Sequence, residues 1–416
     1  MFWLIETEEK LREFREKKFE KVFIEIISLN NRIHPAQNDI SCLYIREIND
    51  SKGYIIPINH NDSLSIDIKL IYSLLQEYKE IFVRDKKEFL HYLILKQLSD
   101  IYFISPVNID IQFPIYNHFY KQYSNIGNIN SIIPIVKHYE YCETLFSQVK
   151  HIFNLEKPQY FEFYNNKATL VFWWVEQEGI KVNPVLFKEH FGIEVDKTFT
   201  QFNLKTTTTR PSNSFNNINY AALDKKSGCR DAFIAENDFL LEIDISAYHP
   251  TLIAQMIGYE FDNNDIHQSF ADMYGVDYQT SKELTFKQLY GGVFEEYKGL
   301  EFFKKIDKYL EELSTKEEIV CKSGYVFKNN GIKKQKLLNY ILQNTETYYN
   351  VLILEDIIKI LKSKNTKIIH YTYDSFLLDV DKTEKEVIKA ILQVFNIYNF
   401  NTKMAWGTKY GSLEPI

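Results

Sequence analysis

The sequence predicts a multidomain protein of mixed α and β structure, and three observations carry that reading. The chain has 416 residues, long enough for two or three domains of ~100–200 residues each. Residues 1–98 alternate strand-like and helix-like stretches, whereas residues 100–192 are patterned mostly as helix. Further on, two strand-like segments far apart in sequence each present one aspartate, with helical segments between them. Hydrophobic residues make up 45% and charged residues 25% of the chain, which excludes wholesale disorder. With 29 Tyr and 31 Phe against 14 Gly and 10 Pro, the chain is aromatic-rich and poor in flexible linker.

In chain order, KVFIEII, CLYIREI and GYIIPI read as strands and IKLIYSLLQEY as an amphipathic helix, a small α/β domain over 1–98. A helical region over 99–198 follows, interrupted by the Pro-punctuated ISPVNIDIQFPIYNHF, with boundaries expected near Ser99 and Thr198. The third domain, 199–416, opens with LKTTTTRPSNSFNNINYAAL, polar and without periodicity: a long ordered loop or hairpin, a kind of segment that is more often functional than idle. In LLEIDIS, Leu241, Ile243 and Ile245 share one face and Glu242, Asp244 and Ser246 the other, a half-buried strand presenting Asp244 at its polar end. Pro250, after His249, starts a helix running to about Gly258. In QTSKELTFKQLYGGV, Lys282, Phe286 and Tyr290 recur every four residues and share one helix face, which Gly291–Gly292 ends. IIHYTYDSFLLDV is expected to be a second strand with Asp374 in its middle.

Four cysteines (Cys42, Cys142, Cys229, Cys321) without CxxC spacing argue against a zinc ribbon or disulfide framework and suit a reducing compartment. The N-terminus turns acidic too soon for a signal peptide, and no apolar run approaches the ~18–20 residues of a membrane span. A cytoplasmic protein without a membrane partner is expected. The 49 basic and 56 acidic side chains give a net charge of −7, which leaves room for nucleic acid only at a local basic cleft. The lysine-rich stretch 298–336 is one candidate, and its interspersed glutamates suit a solvated helix face equally well.

Two carboxylates on separate strands suit a shared metal site. Two Mg²⁺ ions ~3.5–4 Å apart can clamp the attacking and leaving oxygens of a phosphoryl transfer, and Mg²⁺ needs few protein carboxylates. The Lys282–Phe286–Tyr290 face offers a cation to a triphosphate and rings to a base. Taken singly, each signal is equally that of a solvated strand or an ordinary amphipathic helix.

Taken in order, the segments from Phe172 to Gly411 resemble the palm and fingers of family A DNA polymerases. FWWVEQEGIKVNPVLF, with Glu178–Gly179–Ile180, is similar to the family's thumb–palm junction. TTRPSNSFNNIN resembles its T-G-R-L-S-S-x-x-P-N-L-Q stretch, which implies primer–template contacts for Arg210, Ser212, Asn217 and Asn219. CRDAFI resembles the R-x-A-F run before motif A. LEIDISAYHPTL resembles motif A, making Asp244 a catalytic metal ligand together with the Ile245 backbone carbonyl. DIHQSFADMYGV resembles the D-I-H segment and assigns His267 to the incoming triphosphate. The helix of Lys282, Phe286 and Tyr290 becomes motif B, a nucleotide-binding face. NYILQNTE is similar to N-x-P-x-Q-G-T, placing Asn339 and Gln343 near the primer terminus. YTYDSF resembles motif C, with Asp374 as the second catalytic metal ligand. Residues 1–98 resemble the family's 3′–5′ exonuclease domain in worn form: Glu25 is the only acid in FIEIISLN, and FVRDKKEFLHYL resembles a D-x-K version seen where the exonuclease is lost.

The resemblance implies an RNase H-like exonuclease-type domain, a reduced helical thumb and connector over 99–198, and a right-hand polymerase with an antiparallel palm sheet and helical fingers at about 259–300. It implies template-directed addition of dNTPs to a primer–template with two Mg²⁺ (Mn²⁺ as substitute), without proofreading, and a replication or processivity partner. Four departures stand out. His249, followed by Pro250, takes the place of the family's glutamate against the ribose 2′-hydroxyl, an order that resembles the Tyr-Pro of family B polymerases. Tyr373–Asp374–Ser375 replaces H-D-E, closer at the serine to single-subunit RNA polymerases. Tyr278 replaces the arginine that opens motif B, leaving Lys287 or Arg230 to compensate, and Thr209 replaces the glycine before Arg210. Two alternatives therefore stay open: a primase-like, RNA-making or template-independent enzyme, and an inactive nucleic-acid-binding module on a polymerase fold.

Overall fold

The computed structural model describes residues 3–93, 106–108, 133–153, 156, 158–263, 265–329 and 331–416. The expected boundary at Ser99 and most of ISPVNIDIQFPIYNHF lie outside these residues. The chain divides into two compact units, Met1–Gln177 and Glu178–Ile416, so the position expected for the second boundary, Thr198, lies inside the second unit.

The first unit is built on a five-stranded sheet. Its strands are β1 (Lys21–Ser28), β2 (Ile40–Glu47), β3 (Tyr54–Pro57), β4 (Glu80–Val83) and β5 (Pro106–Asn108), in the order β3-β2-β1-β4-β5. β1 pairs antiparallel with β2 and parallel with β4, at the centre of the sheet. Its near-continuous apolar run follows from burial on both faces: Val22, Ile24 and Ile26 join one core, Phe23 and Ile27 another. Helices α1 (Glu8–Arg15), α2 (Ile68–Leu75), α3 (Lys86–Leu93), α4 (Ile135–Val149) and α5 (Thr169–Glu178) complete the described part.

Buried charges in this unit are paired. Glu25 Oε1 lies 2.9 Å from Arg84 Nε, the two side chains 2% and 4% exposed. Glu176, fully buried on α5, receives Lys87 Nζ at 2.5 Å and His91 Nε2 at 2.8 Å. His34, His91 and Glu176 bring one donor atom each within 4.8 Å of one another. Lys87 already neutralises Glu176 there, so a divalent ion would add uncompensated buried charge; the cluster reads as an ion-pair core.

The second unit centres on an antiparallel sheet. A small three-stranded sheet precedes it in the chain: β6 (Phe202–Asn203), β7 (Ser212–Phe215) and β8 (Ile218–Asn219). The segment expected to be a loop or hairpin contains a hairpin: β7 and β8 pair antiparallel, with Phe215 opposite Ile218. The main sheet has the order β10-β11-β9-β12-β13, with β9 (Phe239–Ile245), β10 (Lys367–Thr372), β11 (Ser375–Val380), β12 (Thr402–Gly407) and β13 (Glu414–Pro415). In β9, Leu241, Ile243 and Ile245 are buried while Glu242 and Asp244 are partly open. One expectation is corrected: IIHYTYDSFLLDV is a hairpin of β10 and β11, and Asp374 sits in its two-residue turn. The turn is made by Tyr373 in the left-handed region, φ 55°, where the apolar pattern on either side hides the reversal.

The helices of this unit include α6 (Pro184–Phe191), α7 (Tyr248–Ile257), α8 (Ile266–Tyr274), α9 (Tyr278–Gly291) and α10 (Glu301–Ser314). The 28-residue α11 (Lys334–Leu361) and α12 (Lys385–Ile397) follow. Asp265 and Asp277 cap α8 and α9 by accepting the free amides of their first turns. Among the described residues, no helix is long and apolar enough to cross a membrane.

Candidate active site

The site is assembled from the ends of β9 and the β10–β11 turn. The antiparallel register sets Asp244 opposite Ser375, and the Ile245 amide donates to the Asp374 carbonyl at 2.8 Å. The backbone ladder therefore brings the two aspartates to one place, although 130 positions separate them in sequence. Asn350, fully buried on α11, secures the turn: its amide donates to the Tyr373 carbonyl at 2.7 Å and the Tyr371 hydroxyl at 2.6 Å, and it accepts from Tyr248 Oη at 2.9 Å.

Both carboxylates open onto a cavity of about 610 Å³. Among the described residues, neither forms an ion pair. Burial first, then the charges of Asp374 and Glu242, raise Asp244 to about 7. Asp374 stands more open to water at the turn, yet surrounding protein and the Glu346 charge push it the same way. Two oxygen-donor carboxylates, crowded together without an ion pair of their own, fit a hard divalent ion.

The opposite wall is α9. Lys282, Phe286 and Tyr290 line the cavity together, as their four-residue spacing requires. Lys282 Nζ lies 4.5 Å from the centroid of the Tyr278 ring, whose hydroxyl donates to Asp265 at 3.2 Å. Phe286 is 65% exposed, and its ring meets that of Tyr290 at 4.6 Å. His267 also lines the cavity; burial and the nearby Lys282 and Lys403 charges lower its pKa, and its Nδ1 is buried without a hydrogen-bond partner among the described residues.

His249 and Arg210 close the remaining side. His249 Nε2 lies 2.8 Å from Glu346 Oε2, and Nδ1 contacts the Tyr290 hydroxyl. Arg210 Nε lies 3.2 Å from the same carboxylate, its guanidinium 3.6 Å over the Tyr373 ring. Asn339 and Gln343, one helical turn apart on α11, also line the cavity, and Gln343 accepts from Thr208 at 2.8 Å.

Some residues singled out from the sequence lie elsewhere. Ser212, Asn217 and Asn219 are exposed and do not line the cavity; the Asn219 side chain accepts from the Ala221 amide. Arg230, one of two candidates to compensate for Tyr278, donates to the Leu223 carbonyl at 3.0 Å and lies over Tyr410. Lys287 is exposed and outside the lining too. In the 298–336 stretch, Lys298, Lys305 and Lys334 pair with neighbouring carboxylates.

Sequence reasoning missed Glu346, Lys403, Tyr248 and Asn350. Glu346 stands three residues beyond Gln343 in NYILQNTE, so one further helical turn would have reached it. The other three carry no local signal. Three non-glycine residues in the left-handed region border the site: Thr209 (φ 62°), Ala247 (φ 48°) and Tyr373. Each immediately precedes or lines a functional position, and Thr209 stands where the sequence comparison expected glycine.

No family model matches the chain, and no curated protein matches it in sequence. Among solved structures it is similar to the POL domain of Pol1 from M. smegmatis, in complex with DNA primer-template and dNTP, at TM-score 0.70 and 12% identity over 99% of each chain. At that identity the likeness speaks for the fold, and the fold of this chain is that of a polymerase POL domain.

Proposed function

We propose that the protein is a template-directed DNA polymerase that adds dNTPs to a primer 3′ end. The observation that carries the reading is the convergence of Asp244 and Asp374 on a cavity whose facing wall is the Lys282–Phe286–Tyr290 side of α9. The neighbour named above binds DNA primer-template and dNTP; the same substrates are proposed here.

Asp244, Asp374 and the Ile245 carbonyl would hold two Mg²⁺, with Mn²⁺ as substitute. When bound, such ions activate a primer 3′-hydroxyl and neutralise phosphate charge in nucleotidyl transfer. Lys282 and His267 lie where charge on a departing pyrophosphate would develop, a preorganised stabilisation. Phe286 and Tyr290 present rings to the nascent base pair, and Asn339, Gln343 and Arg210 face the primer terminus. Contacts of Ser212, Asn217 and Asn219 with the duplex outside the cavity fit their exposure. In this reading residues 199–416 form palm and fingers, the fingers at about 259–300. Residues 99–198 form a reduced thumb and connector, and residues 1–98 a degenerate exonuclease-type domain of RNase H-like kind. The Glu25–Arg84 pair supports the absence of proofreading, because the one acid of that strand is already neutralised.

Extension of a labelled primer–template in Mg²⁺ tests the proposal. Wild-type protein should add templated dNTPs, and Asp374→Ala should lose at least about 10³-fold in rate, the scale of removing a preorganised electrostatic group. Addition of rNTPs alone, addition without template, or no addition would overturn it.

A further inference from the structure

The cavity wall at His249 contains a chain of hydrogen bonds whose direction is fixed by chemistry. A carboxylate only accepts, so the 2.8 Å contact with Glu346 requires the proton on His249 Nε2. The Glu346 charge is balanced by Arg210 at 3.2 Å. In the neutral ring with Nε2 protonated, Nδ1 is the acceptor and the Tyr290 hydroxyl in contact with it donates. Burial, reinforced by the Glu346 charge, keeps that hydroxyl protonated. Glu346 is 1% exposed and 97 residues from His249, which is 41 from Tyr290, so the chain ties α11, α7 and α9 into one wall.

We propose that Glu346 is a positioning residue for sugar selection: by accepting the Nε2–H of His249 it turns Nδ1 toward Tyr290, and the wall so closed disfavours a nucleotide carrying a 2′-hydroxyl. The inference rests on the polymerase reading above. A nucleotide with its phosphates at Asp244 and Lys282 and its base at Phe286 sets its sugar against α7, which carries His249. A 2′-hydroxyl placed there loses water and finds the Tyr290 proton already committed. An unsatisfied hydroxyl of that kind costs about tenfold or more in discrimination.

The test uses the full chain with Glu346→Gln. Arg210 Nε donates to Glu346 Oε1 and holds the glutamine oxygen there, so the amide nitrogen faces His249 and donates to Nε2, which moves the ring proton to Nδ1 and frees the Tyr290 hydroxyl to meet the sugar. We expect the kcat/KM ratio of rNTP to dNTP to rise about tenfold, and ¹⁵N spectra of His249 to switch from the Nε2–H to the Nδ1–H tautomer. Tyr290→Phe removes the freed hydroxyl, so adding Glu346→Gln to it should change the ratio no further. An unchanged tautomer, an unchanged ratio, or additive effects of the two substitutions would overturn the proposal. Wild-type protein that incorporates neither kind of nucleotide would overturn the polymerase reading and sugar selection with it. The tautomer alone would then decide whether Glu346 positions His249.

Discussion

Asp244 shows what crowding two carboxylates does to one side chain. With a folded pKa of about 7, against roughly 3.9 for an unfolded aspartate, the folded protein holds this proton more tightly than the unfolded one. The metal-free protein therefore has this contribution to stability in full below pH 4 and loses it as pH rises to 7. Mg²⁺ competes with the same proton, so its affinity should rise through pH 6–7 and level off above, with proton release on binding. Calorimetry in buffers of different ionisation enthalpy reads this directly, and Asp244→Asn should abolish it. Lys282→Ala should lower kcat/KM for dNTP by about 10–100-fold, the loss of a charge-assisted contact, measured by single-nucleotide insertion. Single residues were legible where the chain repeats a period: Asp244 from alternation in β9, Lys282, Phe286 and Tyr290 from spacing in α9. Glu346 was not, because its meaning lies in partners 97 and 136 positions away.

Among elements, the β10–β11 hairpin and α11 behave as a unit. The sequence led to one long strand because apolar residues flank Asp374 on both sides, and only the tertiary bonds of Asn350 reveal the reversal. Asn350→Ala takes one hydrogen bond each from the Tyr373 carbonyl and the Tyr371 and Tyr248 hydroxyls. It should cost about 1–3 kcal/mol of stability per unsatisfied buried group and lower kcat more than it changes KM, checked by urea unfolding alongside extension kinetics. Other elements were readable from pattern: β1, β2 and β3, the start of α7 near Pro250 and the end of α9 at its glycines all follow local rules, whereas β4 and β5 were not predicted.

At the level of the whole molecule, each of the two units has its own buried cores. Residues 1–177 depend on the Lys87–Glu176–His91 cluster, which sequence pattern could not show because its members come from different elements. Glu176→Ala strands the Lys87 charge and should destabilise this unit by about 3–5 kcal/mol. The fluorescence of Trp3, Trp173 and Trp174, all in this unit, offers the readout during urea unfolding. The polymerase fold, by contrast, was legible only as an ordered set of short segments, since no one of them is distinctive and the likeness in structure persists at 12% identity.

The left-handed Thr209, Ala247 and Tyr373 give the cavity one more property. Side chains in that region each hold about 1–3 kcal/mol of strain against the surrounding fold. The cavity is thus expected to act as the molecule's fuse, its three turns relaxing on warming before the main sheet unfolds. Activity should fade at a lower temperature than the far-ultraviolet circular dichroism, and Ala247→Gly, which removes the strain at one turn, should bring the two temperatures closer.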